Sequence, residues 1–158
     1  MRKAYSMEEL KTRLERYCAY QERCHQEVKN KLQQLGAYRE TSNVVISHLI
    51  KHDYLNETRF AMLYVQGKFS IKKWGKKRIV NELKLRKITT YNIDMGLKQI
   101  SKKDYQRTFD ALAQKHWEDL KKKKESIEKR KKKWINYLQY RGWENDLIFG
   151  ALRNLTSN

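Results

Sequence analysis

Residues 79–89 read Ile79-Val80-Asn81-Glu82-Leu83-Lys84-Leu85-Arg86-Lys87-Ile88-Thr89, and the interval between Ile79 and Leu83 decides the fold. Four residues is one helical turn, so the two side chains share a helix face. The same pair recurs on both sides: Val28 and Leu32 stand 51 residues earlier, Trp134 and Leu138 stand 55 residues later. Five past each anchor leucine come Ala37, Ile88 and Trp143. Fourteen past come Ile46, Leu97 and Leu152, and seventeen past come Leu49, Ile100 and Leu155. Ten past, the first copy departs with Ser42 where the others carry Ile93 and Ile148. Gap-free agreement at five apolar positions marks a threefold internal repeat.

Within each copy the spacing describes two helices and a turn. Gly36 and Gly142 lie four past their anchors, where a glycine closes a helix in the left-handed conformation. Lys87 holds that place in the middle copy and must either adopt the strained conformation or use another turn. Thr89 then caps the following helix. A further helix precedes each block. Ser6-Met7-Glu8-Glu9 has the capping-box form ahead of Leu10, Leu14, Tyr17 and Cys18. Asn56 opens the second, ahead of Phe60, Met62, Leu63 and Val65. Ser101 opens the third, ahead of Tyr105, Phe109, Leu112, Trp117 and Leu120. The expected fold is all-α: three tandem three-helix repeats, residues 1–53, 54–101 and 102–158, in an elongated, curved stack. No proline and only six glycines interrupt these helices. Because one unit buries little, stability is expected to come largely from contacts between neighbours.

The net charge is +18 and is unevenly placed. Residues 1–58 hold 10 of the 36 Lys+Arg and 8 of the 18 Asp+Glu, leaving 26 against 10 for the rest. Solubility alone does not require a basic excess on one side, so a polyanionic partner is expected, nucleic acid first. No 18-residue apolar run is present and no apolar face accompanies the basic stretches, which argues against a membrane partner. Met1-Arg2-Lys3-Ala4-Tyr5-Ser6 leads into charged sequence rather than a secretory core, so the cytoplasm is the expected compartment.

Three stretches resemble the RecX family. Tyr54-Leu55-Asn56-Glu57-Thr58-Arg59-Phe60-Ala61 is similar to its Tyr-Leu pair and acidic residues before Arg-Phe-Ala. Trp74-Gly75-Lys76-Lys77-Arg78-Ile79-Val80-Asn81-Glu82-Leu83 resembles its glycine, basic residue, Arg-Ile and Glu-Leu signature. Leu138-Gln139-Tyr140-Arg141-Gly142-Trp143 is similar to its third-repeat segment. With Glu22 to Leu35 the likeness covers nearly the whole chain, and the middle stretch is its specific part. This sequence departs at Asn56 and Glu57, where the family commonly has two aspartates, and at Lys87, where it favours glycine. The resemblance implies a regulatory protein rather than an enzyme. Its implied partner is the RecA filament on single-stranded DNA, bound along the helical groove, with inhibition of ATP hydrolysis, strand exchange and filament growth. Some members also bind DNA directly. The expected state is a monomer without cofactor or metal.

Candidate binding residues follow from charge and aromatic interleaving. Residues 66–88 carry Lys68, Lys72, Lys73, Lys76, Lys77, Arg78, Lys84, Arg86 and Lys87 against Glu82, with Phe69 and Trp74 among them. Cations pair with phosphates and aromatic rings stack on bases, although these two rings serve equally to close a core. A second group is Lys121, Lys122, Lys123, Lys124, Lys129 and Arg130, with Arg141 from the third-repeat segment. Four consecutive lysines repel one another and are expected to break the helix. Leu120, Ile127 and Trp134 recur every seven residues, too briefly for a coiled coil and better read as core. Cys18, Cys24, His48 and His52 lack zinc spacing; two cysteines six apart on one helix diverge by roughly 240°. No phosphate loop, nucleophile with a base partner or HExxH is present.

Overall fold

A computed structural model describes residues 4–157 and is helical throughout, with nine helices among the described residues. Met1, Arg2 and Lys3, on which part of the N-terminal reading rests, lie outside them. The first group is α1 (Met7–Tyr20), α2 (His25–Gln34) and α3 (Arg39–Lys51). The second is α4 (Glu57–Ser70), α5 (Lys76–Leu85) and α6 (Thr90–Leu97). The third is α7 (Lys102–Lys121), α8 (Ile127–Tyr140) and α9 (Asn145–Thr156). Helices pack mainly within their own group. The accessible surface is 10565 Å², whereas a compact protein of 19.2 kDa exposes about 8,400 Å². The stack is elongated.

The expected caps are in place. Ser6 Oγ accepts from the Glu9 amide at 3.1 Å, Asn56 Oδ1 from Arg59 at 3.0 Å, and Ser101 Oγ from Asp104 at 3.0 Å. Thr89 Oγ1 accepts from Asn92 at 3.3 Å. The three turns close alike. Ala37, Ile88 and Trp143 donate their amides to Leu32, Leu83 and Leu138 at 3.0, 3.1 and 3.1 Å. Gly36, Lys87 and Gly142 have φ of 78°, 58° and 90°. Lys87 therefore takes the left-handed conformation despite its Cβ, at a cost of roughly 1–2 kcal/mol. The repeat geometry prevails over the residue's own preference.

Two cores result. Leu10, Leu14, Cys18, Val28, Leu32, Val45 and Leu49 of the first group close one, together with Leu55 from the segment before α4. The other runs unbroken through the second and third groups, from Phe60, Val65, Ile79 and Leu83 to Phe109, Trp117, Trp134, Leu138 and Trp143. The second and third units share one core, while the first closes its own with Leu55 of the second and places Cys24 in theirs. In α4 the buried face is Phe60, Ala61, Val65 and Phe69, while Leu63 is exposed. Gly96 lets α6 cross α4 closely: a Cβ there would meet Val65 Cγ2 at 2.8 Å and the Ala61 carbonyl oxygen at 2.9 Å.

Candidate polyanion-binding site

The α4–α5 loop lies against the α8–α9 turn, and this junction gathers one group of the candidate cations. Gly75 is the N-cap of α5 and donates its amide to the Arg141 carbonyl at 2.8 Å; Lys77 donates to the Gly142 carbonyl at 3.1 Å. A Cβ on Gly75 would collide with the Gly142 carbonyl, and one on Gly142 with Arg78. The close approach that Gly75 permits is made by this chain's own backbone.

Several candidates are committed to that junction. Arg141 donates to the Lys72 carbonyl at 2.7 Å and lies 4.6 Å from the Tyr137 ring centroid. Arg78 sits between the rings of Trp74, at 4.0 Å, and Tyr140, at 4.6 Å, and donates to the Tyr140 carbonyl. Lys76 lies over Tyr105, whose hydroxyl accepts from the Lys76 amide and donates to Glu144. Burial raises the Tyr105 phenol far above its usual range, so it remains a donor. Trp74 is half-buried, with Lys68 at 4.9 Å from its ring. Phe69 is buried and stacked on Tyr105. The core-closing account therefore fits both rings better than base stacking.

Lys68 and Arg86 belong elsewhere, in a groove between the first and second groups that Glu22, Glu27 and Tyr64 also line. Arg86 pairs with Glu82 at 3.1 Å and lies over Tyr64. These cations face carboxylates. By contrast Lys72, Lys73, Lys77 and Lys87 are exposed and have no acidic partner among the described residues. Lys84 and Lys98 of the middle unit are exposed and without an acidic partner among the described residues as well. Exposed Ile71 adjoins Lys72 and exposed Leu85 stands two residues before Lys87, while exposed Tyr140 reaches the junction through space, against Arg78; a run of basic residues does not mark these apolar side chains.

The second group of candidates is remote from the junction. Helix α7 has 20 residues, about 30 Å at 1.5 Å per residue. It carries Lys121 to the far tip of an α7–α8 hairpin. As expected, the helix breaks at the lysine run: α7 ends at Lys121, and α8 begins after Ser126. Lys122, Lys123, Lys124 and Lys129 are exposed there, and Arg130 is half-buried, 5.5 Å from the Trp117 ring centroid. Leu120 and Trp134 pack inside the hairpin on opposite helices while Ile127 is largely exposed, so the seven-residue recurrence is no coiled-coil seam. Lys133 hydrogen-bonds Glu125 and holds that carboxyl below its usual range.

Cys18 and Cys24 are free and buried in different cores, and burial pushes both thiols up to about 11. Cys24 caps α2 rather than continuing α1, so the one-helix premise for their divergence does not apply. His48 is held by Glu15 at 2.6 Å. No helix among the described residues is long and apolar enough to cross a membrane.

Comparison with known proteins accords with this architecture. Residues 56–97 match the model of the RecX second three-helix domain, and residues 101–152 match that of the third. The chain belongs to the RecX family. Regulatory protein RecX of Vibrio campbellii (strain ATCC BAA-1116) is 30% identical over 119 residues, covering 75% of this chain and 74% of its own. That of Clostridium perfringens (strain 13 / Type A) is 28% identical over 133 residues, 84% of this chain. The chain spans 61% of the length of that Clostridium relative. The crystal structure of RecX from Lactobacillus salivarius shares the fold with a TM-score of 0.80 at 22% identity, over 96% of this chain and 97% of that one. A further crystal structure of regulatory protein RecX gives 0.79 at 19% identity, over 89% and 70%.

Proposed function

We propose that this RecX-family chain regulates RecA by binding its filament on single-stranded DNA, restraining ATP hydrolysis, strand exchange and filament extension. The observation that carries the reading, beside family membership, is the continuous core of residues 60–148. It holds two groups of exposed lysines toward opposite ends of α8, a helix of 14 residues and about 21 Å. A ligand that repeats along an axis engages both at once, and the second contact is then effectively intramolecular. The working unit in this reading is residues 54–158, acting as a monomer in the cytoplasm. It needs no catalytic group; its effect comes from occupying the filament.

The test is the single-stranded-DNA-dependent ATPase of RecA, titrated with this protein. Inhibition at or below equimolar amounts is expected, and no inhibition there contradicts the reading. The runner-up, a stand-alone nucleic-acid-binding protein, draws on the same exposed lysines. It predicts equal affinity for bare DNA and for the filament at moderate salt, with steep salt dependence in both cases.

A further inference from the structure

We propose that the two lysine groups have different partners, and that the tip of the α7–α8 hairpin binds the phosphate backbone of the nucleic acid directly. This rests on the filament reading only in taking the polyanion to be nucleic acid.

Three observations separate the tip from the junction. The first is the surplus of charge. Lys121 pairs with Glu118 at 3.4 Å, Lys122 with Asp119 at 3.6 Å, Lys131 with Glu128 at 3.8 Å and Lys133 with Glu125. Those four carboxylates are thereby engaged. Lys123, Lys124, Lys129 and Lys132 are exposed and have no acidic partner among the described residues.

The second is placement against local physics. Residues 129–133 are five consecutive cations in the opening turns of α8, where the helix dipole disfavours positive charge. Glu128 and Glu125 offset Lys131 and Lys133, which leaves Lys129 and Lys132 without an acidic partner among the described residues. The helix is held rigidly all the same: Trp134 is buried and donates its indole N–H to the Ala113 carbonyl at 2.9 Å, and Trp117 packs edge-on against it. A concentrated positive surface on a stiff hairpin suits an external anion of high charge density.

The third is what the tip lacks. Its aromatic rings, Trp117 and Trp134, are inside, so no ring is offered to a base. Contact is then confined to phosphates and is indifferent to sequence. The junction differs: exposed Ile71 adjoins Lys72 in the α4–α5 loop and exposed Tyr140 lies against Arg78 at the same seam, the mixture of apolar anchors and cations typical of a protein interface.

The experiment compares two charge-neutralised variants with wild type by fluorescence anisotropy on a labelled oligothymidine without RecA. The tip variant carries Lys123→Gln, Lys124→Gln, Lys129→Gln and Lys132→Gln; the junction variant carries Lys72→Gln, Lys73→Gln and Lys77→Gln together with Lys87→Gln in the α5–α6 turn. All eight side chains are exposed, and circular dichroism verifies folding. Loss of four phosphate contacts reduces the slope of log K against log salt by about 3 and weakens binding at least ~10-fold near ~0.1 M salt. The junction variant is expected to keep wild-type affinity and slope. The proposal is overturned if wild type does not bind, if the tip variant binds like wild type, or if both variants weaken alike. A RecA ATPase titration run alongside reports on the filament reading separately, since wild type can fail to inhibit and still bind DNA through the tip.

Discussion

The two places where neighbouring units meet are built in opposite ways. Between the second and third, backbone meets backbone: Gly75 and Lys77 donate to Arg141 and Gly142, and Phe69, Tyr105, Phe109 and Trp143 cluster with ring centroids 4.7–6.5 Å apart. Between the first and second, the contact is mainly polar. Arg59 is gripped by Glu22 at 2.7 Å and by the Asp53 carboxylate at 3.0 Å, and the His25 amide donates to Glu57 at 3.0 Å. Partial burial pulls the Arg59 pKa down, but the hydrogen bond and charge of Glu22, with Asp53, outweigh it and raise it. Cys24 is the residue of the first group that enters the shared core. A polar, half-exposed contact is cheap to open, and one sealed by buried rings is not. Units two and three share one core, while unit one closes its own and meets them through Cys24, Leu55 and these polar contacts.

The largest expected effect comes from breaking the sealed contact. Gly142→Ala drives a Cβ into Arg78 from a left-handed backbone, and should destabilise by ~3 kcal/mol or more. In urea, tryptophan fluorescence and circular dichroism should report its midpoint falling together. Survival of the wild-type midpoint would mean that the sealed contact adds little. Next is pH. Both thiols have folded pKa values of about 11 against 9.0 unperturbed, so their contribution is intact below pH 9 and lost as pH rises towards 11. Melting temperature should decline across that window and decline less in the double variant Cys18→Ala/Cys24→Ala.

A smaller effect is expected at the polar contact. Arg59→Ala should cost about 1 kcal/mol or less, yet broaden the distance distribution between spin labels on α3 and α8, as high salt should in wild type. A distribution as narrow as wild type's would make the whole chain one body. Smallest is a gain: Lys87→Gly relieves the left-handed strain and should raise stability by up to ~1 kcal/mol. If it lowers the urea midpoint, the lysine side chain makes contacts that the turn geometry does not reveal.

How much of this was legible in the sequence follows from what each feature depends on. The anchors Leu32, Leu83 and Leu138 and the turns after them obey local rules of helical period and left-handed closure, so spacing alone located them. The caps Ser6, Asn56, Thr89 and Ser101 are local for the same reason. The sealing of Gly75 against Gly142 joins residues far apart in sequence, and no period marks it. For the same reason spacing does not mark the hydrogen bonds of Arg78 and Arg141 to the Tyr140 and Lys72 carbonyls. Charge runs mark where cations gather; they do not distinguish Lys72, which has no acidic partner among the described residues, from Lys76, which lies over Tyr105.

The central claim is that the joined second and third units hold the filament through exposed lysines of the middle unit. Co-sedimentation with RecA filaments at moderate salt tests it most directly, using wild type and the Lys72→Gln, Lys73→Gln, Lys77→Gln, Lys87→Gln variant. Wild type should pellet with the filaments and the variant should stay largely in the supernatant. A variant that pellets as fully as wild type would contradict the account.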